Sequence, residues 1–113
     1  MKRGDVYWAA RSGSEQKGRR PVIVVSHDGF NQAQGWRSII VVPVSTSATQ
    51  SARGPTAIPL PKGAGGLTKP SVALCHQVTT LDRAKLTQRL GALSPALLEE
   101  IGEGLKAALD LDW

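Results

Sequence analysis

At 113 residues the chain is long enough to bury one core and too short for two, so a single domain over residues 1–113 is expected, with Val, Ile, Leu and Ala filling it because aromatics are only 4%. Fourteen Lys and Arg against nine Asp and Glu give +5, with about +7 in residues 1–70 and about −2 in the remainder by the same count, a polarity that favours an anionic partner. One cysteine and two histidines exclude an intrachain disulfide and leave no ligand set for a zinc centre, so no cofactor is expected.

No apolar run reaches the ~18 residues of a membrane span. Met1-Lys2-Arg3 leads into Gly4-Asp5 rather than into a signal-type apolar stretch. A cytoplasmic protein with no membrane partner is the expectation. Gly4–Ala10 reads as a first strand, with Val6 and Trp8 on one face and Asp5 and Tyr7 on the other. The stretch Gly13–Pro21, GSEQKGRRP, follows. It packs two glycines, a carboxylate, an amide and three cations into a loop that opens on the apolar run Val22-Ile23-Val24-Val25. Polar, flexible residues held at the mouth of a rigid element are where function collects, although the same residue types also make ordinary solvated turns.

Pro21–Ser26 is predicted as the second strand, apolar on both faces and therefore central. Pro21 fixes its start and pushes Arg20 into an extended conformation, which makes Arg20 the last loop residue. His27–Ser38 is a polar connection with turn formers at Asp28-Gly29 and Gln34-Gly35. Ile39–Val44 is a third strand, ending in the hydroxyl run Ser45-Thr46-Ser47. Ala48–Gly54 is loop, Pro55–Leu60 an edge strand, and Pro61–Pro70 another loop. Ser71–Val78 makes a fifth strand, with Val72, Leu74, His76 and Val78 on one face. Asp82–Leu86 has room for one helical turn and Gln88–Leu93 for a short last strand.

The end of the chain is a helix from Pro95 to about Asp110, with Ser94 as N-cap. Leu98, Ile101, Leu105, Ala108 and Leu109 form its apolar stripe, and Glu99, Glu103 and Lys106 fall outside it. Short strands separated by turns predict a small antiparallel barrel or sandwich, here closed by an amphipathic C-terminal helix.

In chain order, RGDVYW at Arg3–Trp8, the loop GSEQKGRRP, the strand VIVVS, Asn31 after Phe30, VVPVST at Val41–Thr46, SVALCHQVTTLD at Ser71–Asp82 and LGALS before the last helix resemble the MazF/PemK (Kid) family of toxin endoribonucleases. The likeness covers essentially the whole chain. It implies a mainly β fold, a small SH3-like antiparallel barrel with a C-terminal amphipathic helix of the CcdB/PemK kind. It also implies a homodimer that cleaves single-stranded RNA at short motifs without a metal, and a cognate antitoxin that lays an acidic, partly disordered tail along the RNA groove.

Such cleavage uses the substrate's own 2′-hydroxyl as nucleophile and leaves cyclic phosphate and 5′-hydroxyl ends. The protein must move protons and hold extra charge on the phosphorane-like transition state. Arg20 matches the Arg before Pro in the family motif and is assigned a catalytic role by that match. Its guanidinium can donate two parallel hydrogen bonds to phosphate, which Lys17 cannot copy. Ser45 stands at the family's Pro-x-Thr hydroxyl position, with Thr46 next. Only one of the two faces the site if the strand persists.

The fifth strand departs from the family: Leu74 and His76 stand where some members, the Kid branch especially, carry Arg and Asp, and Thr79 stands where the family commonly has a basic residue. His76 is then either a proton carrier, since imidazole titrates near neutral pH, or a core-edge histidine. Gln77 matches the family and suits a base edge. Glu15 suits orienting Arg20 or accepting from a base, and Ser14, Gln16, Lys17 and Arg19 complete the expected substrate contacts. The loop after the first strand lacks the family's Asp-x-x-Pro segment. Two other readings stay open: an RNA-binding barrel that has lost catalysis, and a CcdB-like toxin that poisons gyrase through the C-terminal Asp110-Leu111-Asp112-Trp113.

Overall fold

Aliphatic alternation in three neighbouring strands organises the molecule. The structure is a computed structural model and describes residues 1–10, 18–46 and 54–111. β1 (Asp5–Ala10) pairs antiparallel with β2 (Arg19–Val24), which pairs with β3 (Ser38–Ser45). Val6, Ile23, Val42 and Val44 point to one side, where Leu60, Leu67, Ala73, Leu93 and Ile101 complete the main core. Ala9, Val22, Val24, Ile39 and Val41 point to the other, where Leu86, Met1, Tyr7 and Leu81 pack on them. Both faces of β2 are thus buried, as its unbroken apolar run requires.

The sheet runs β4-β5-β3-β2-β1-β7, with β6 also on β3. Here β4 is Ala57–Leu60, β5 is Ser71–Leu74, β6 is Thr79–Asp82 and β7 is Leu86–Ala92. β4 lies at the sheet edge, as Pro59 within it demands. The connection from β4 to β5 turns at Ala64–Gly66 and returns against β7, closing the barrel. Glycine makes that contact possible: Gly66 has φ +81°, and a Cβ there would stand 2.2 Å from the Leu90 carbonyl oxygen. The fold is therefore the expected mainly antiparallel β-barrel with a C-terminal helix.

Four details differ from expectation. β2 begins at Arg19, so Arg19 and Arg20 are strand residues paired with Ala10 and Ala9, not the end of a loop. Pro21 is tolerated because the β2–β3 register reaches only Val22, and its missing amide has no β3 partner to serve. The predicted fifth strand is two strands. Three steps along β3, from Val44 to Val41, correspond to six along its partner, from Ala73 to Thr79. Cys75–Gln77 are consequently looped out as a 3-10 turn, beside Pro43, which has no amide to donate to a ladder. A four-residue helix, α1 (Asp28–Asn31), also interrupts the expected connection.

The C-terminal helix α2 (Pro95–Leu109) starts as predicted: Ser94 Oγ accepts from the Leu97 amide at 3.2 Å, and Pro95 fills the first turn. Its buried face is rotated from the expected stripe. Ile101 and Gly104 are buried and Leu97, Leu105 and Ala108 pack on the core, while Leu109 is 54% exposed. Gly104 sets that rotation, since a Cβ there would lie 2.7 Å from Cys75 Sγ.

Candidate active site

The C-terminal end of β3 meets the N-terminal end of β2 beside two prolines. The β2–β3 register ends at Val22 opposite Pro43. Continued outward, it sets Arg20 opposite Ser45 and Arg19 opposite Thr46. With Pro21 and Pro43 unable to donate, the strands have less to hold them together beyond this point. A recess of about 290 Å³ lies there, lined by Arg19, Arg20, Pro21, Val44, Ser45 and Thr46. Three of the ten residues singled out from sequence for this site, Arg20, Ser45 and Arg19, are thereby brought together, and Thr46 makes a fourth.

Ser45 and Thr46 both line the recess. The expectation that only one would face it assumed a continuing strand, and β3 stops at Ser45, so the alternation stops with it. Arg19 lies with its guanidinium carbon 4.5 Å over the Trp8 ring and donates from Nη1 to Gln88 Oε1 at 3.4 Å. Both partners are neutral, so they fix the side chain and leave its charge uncompensated by them.

The sequence motifs assign no role to Trp8. It lines a second recess of about 260 Å³ with Pro21, Thr46, Gly66–Lys69, Ser71 and Leu90, and the two recesses share Pro21 and Thr46. No acidic residue is among the described residues lining either. The available signal was a tryptophan on a barrel strand beside a basic loop; its contact with Arg19 crosses strands and cannot be read from spacing.

His76 and Gln77 are not among the residues lining these recesses. They sit exposed on the 3-10 turn after β5, so His76 does not share a strand face with Val72 and Leu74. Its Nδ1 lies 3.2 Å from Thr56 Oγ1. Neighbouring Cys75 is buried, and burial pushes its thiol pKa up to about 11, which suits an inert core residue. Ser14, Glu15, Gln16 and Lys17 lie outside the described residues. Among the described residues no group of three His, Cys, Asp or Glu could hold a metal ion. Among the same residues no helix is long and apolar enough to cross a membrane.

Residues 2–109 match the family described as PemK-like, MazF-like toxin of type II toxin-antitoxin system. The chain belongs to this family. Endoribonuclease MazF of Staphylococcus saprophyticus is 35% identical over 98% of this chain and 92% of its own length. Endoribonuclease EndoA of Bacillus subtilis is 34% identical over 98% and 96%. Among solved structures, an endoribonuclease in complex with its cognate antitoxin from a mycobacterial species superposes with TM-score 0.80 at 25% identity, covering 100% of this chain and 98% of that one. A MazE–MazF structure from Deinococcus radiodurans gives 0.76 at 26% identity, covering 99% and 97%. The family membership and barrel fold read from the motifs therefore stand.

Proposed function

We propose that this MazF-family chain is a metal-independent endoribonuclease that cleaves single-stranded RNA at a short sequence motif, acting as the toxin of a toxin–antitoxin pair. The observation that carries the reading is that Arg20 and Ser45 line one recess, at the positions where the family motifs put Arg and a hydroxyl. Relatives with named endoribonuclease activity align over nearly the whole chain. A partner antitoxin with an acidic tail fits the basic mouth, and the working unit is a homodimer.

In the proposed reaction a 2′-oxygen bonds to the adjacent phosphorus while the bond to the 5′-oxygen breaks. The 2′-hydroxyl passes its proton to solvent water and the leaving oxygen takes one from solvent, giving a 2′,3′-cyclic phosphate and a 5′-hydroxyl. Arg20 donates two parallel hydrogen bonds to the phosphate oxygens as their charge grows, and the Ser45 hydroxyl adds a third. Arg20 keeps its proton across the working pH range and so serves as stabiliser and donor, not as base. The described lining residues include no carboxylate or imidazole. Charge stabilisation is accordingly the larger share of what they supply.

The test is a purified protein, a long RNA and a chelator, with the cut ends mapped by primer extension and their chemistry assigned. Cyclic phosphate ends at a recurring motif are expected. A 2′-deoxy sugar at the scissile position removes the nucleophile and should abolish cutting there; continued cleavage would overturn the mechanism. RNA retention that weakens with salt, without any cutting, would make the chain a binding barrel instead.

A further inference from the structure

The recess behind Trp8 is not needed to hold the scissile phosphate, yet it opens from the same mouth. Resting on the endoribonuclease reading, we propose that it is a pocket for one nucleobase of the bound strand, next to the phosphate held by Arg20 and Ser45, and that it contributes to the choice of cleavage motif.

Three observations carry this. The pocket shares Pro21 and Thr46 with the phosphate recess, so a strand whose phosphate lies against Arg20 has a neighbouring base within reach of it. Its walls have the chemistry of a base site: apolar surface from Trp8, Leu67 and Leu90, and exposed Thr46 and Thr68 hydroxyls to meet polar edges. Lys69 at the rim and Arg19 against the Trp8 ring supply positive charge for the backbone, and none of the described lining residues is acidic.

The opening is also built rather than collapsible. Its floor includes Gly66, held with φ +81° against the Leu90 carbonyl, so backbone sets that wall. Ser71 is buried at 6% exposure, with its hydroxyl donating to the Lys69 carbonyl at 2.9 Å. That bond ties the lysine's backbone to the start of β5.

The inference is tested by a cycle of protein and substrate changes. Short RNAs carrying the mapped motif are prepared with an abasic ribose at each position flanking the cut, and kcat/KM is measured for wild type and for Thr68→Trp, which fills the pocket from an exposed position. In wild type, one abasic position should cost about tenfold, toward the lower end of what stacking one base on an aromatic contributes. Thr68→Trp should cut the native and that abasic RNA at equal rates. Trp8→Ala, acting from the opposite wall, should equalise them too and serves if Thr68→Trp fails to fold. A discrimination undiminished in the variants, including the case where the pocket instead takes an apolar side chain of the antitoxin, overturns the proposal. Absence of any cleavage by wild type overturns the endoribonuclease reading itself, so the two failures are distinguishable.

Discussion

The two ends of β3 lie about 20 Å apart, at ~3.3 Å per residue, and both are rich in arginine, yet they use it differently. At the N-terminal end the cations are committed to the fold. Arg37 Nη2 meets Asp82 Oδ1 at 2.7 Å, Arg83 donates to the carbonyls of Trp36 at 2.8 Å and Phe30 at 3.3 Å, and Arg3 Nε donates to the Val25 carbonyl at 3.2 Å. Those bonds hold an exposed aromatic pair, Phe30 stacked on Trp36 at 4.7 Å, against the barrel. At the C-terminal end Arg19 is held by an aromatic face and an amide, with no carboxylate among the described lining residues of either recess. Arg3 and Arg83, like Arg19, are held by neutral groups, so the difference in charge lies in Arg37, which an exposed carboxylate partly offsets, and the difference in use lies in Arg3 and Arg83 bonding to the fold's own carbonyls. Net charge alone draws no such distinction.

Arg20→Ala should separate the ends most sharply. Loss of one preorganised donor to developing charge costs about 10²–10³ in kcat, and a guanidinium supplies two. Cleavage of the mapped motif should fall by at least about 10³, with Arg20→Lys recovering only part. Arg37→Ala, at the far end, should leave cleavage unchanged, because its partner Asp82 is exposed and remote from the recess. Equal losses in the two variants would erase the contrast.

The glycines give the next largest difference. Gly66→Ala drives a Cβ into the Leu90 carbonyl, whereas at Gly35, with φ +86°, an added Cβ meets nothing within 4 Å. Urea unfolding should show Gly66→Ala destabilised by about 2–4 kcal/mol and Gly35→Ala by about 1–2 kcal/mol, the backbone cost alone. Similar losses at both would mean that the mouth is not braced by that contact.

His76→Ala is a smaller and sharper test. A general acid or base contributes about 10²–10⁴-fold, but His76 lies outside the recess with Thr56 beside it. A loss of less than about tenfold is expected, far under the general-acid range. A larger fall, with the pH–rate profile flattened, would make His76 the proton carrier.

Much of this arrangement was legible in the sequence because it rests on local chemistry. Pro21 marks where Arg20 becomes extended, Ser94-Pro95 starts the last helix, and the apolar runs of β2 and β3 announce their burial. What the sequence hid depends on neighbours far along the chain. Val72 to Val78 alternates as one strand, and the break after Leu74 coincides with Pro43 on the adjacent β3. That break took His76 off the predicted face. Spacing on α2 pointed to Leu109, while the Gly104 approach to Cys75 turned the helix away from it. Trp8 meets Arg19 and shares a recess with Gly66–Lys69 across strands, neighbours that no local spacing announces.

Acid gives the smallest effect and should act first at the far end. The Arg3 backbone amide and the Asn31 side chain, donating to Asp28 at 2.6 Å and 3.0 Å, hold its carboxyl below the usual carboxylate range. The Arg37 guanidinium, then the Ala84 amide, does the same for Asp82. A depressed folded pKa means that the unfolded chain binds protons first. The stabilisation is therefore complete above the ordinary aspartate value and is lost as pH falls from about 4 through the folded values. Amide hydrogen exchange between pH 5 and 3, corrected for intrinsic rates, should show α1 and the Arg83–Lys85 turn losing protection before β1 and β2 do. Asp28→Asn with Asp82→Asn should flatten that local pH dependence while leaving RNA cleavage at neutral pH intact. If β1 and β2 opened first instead, the far end would not owe its order to these two carboxylates, and the division of labour along β3 would fail on its structural side.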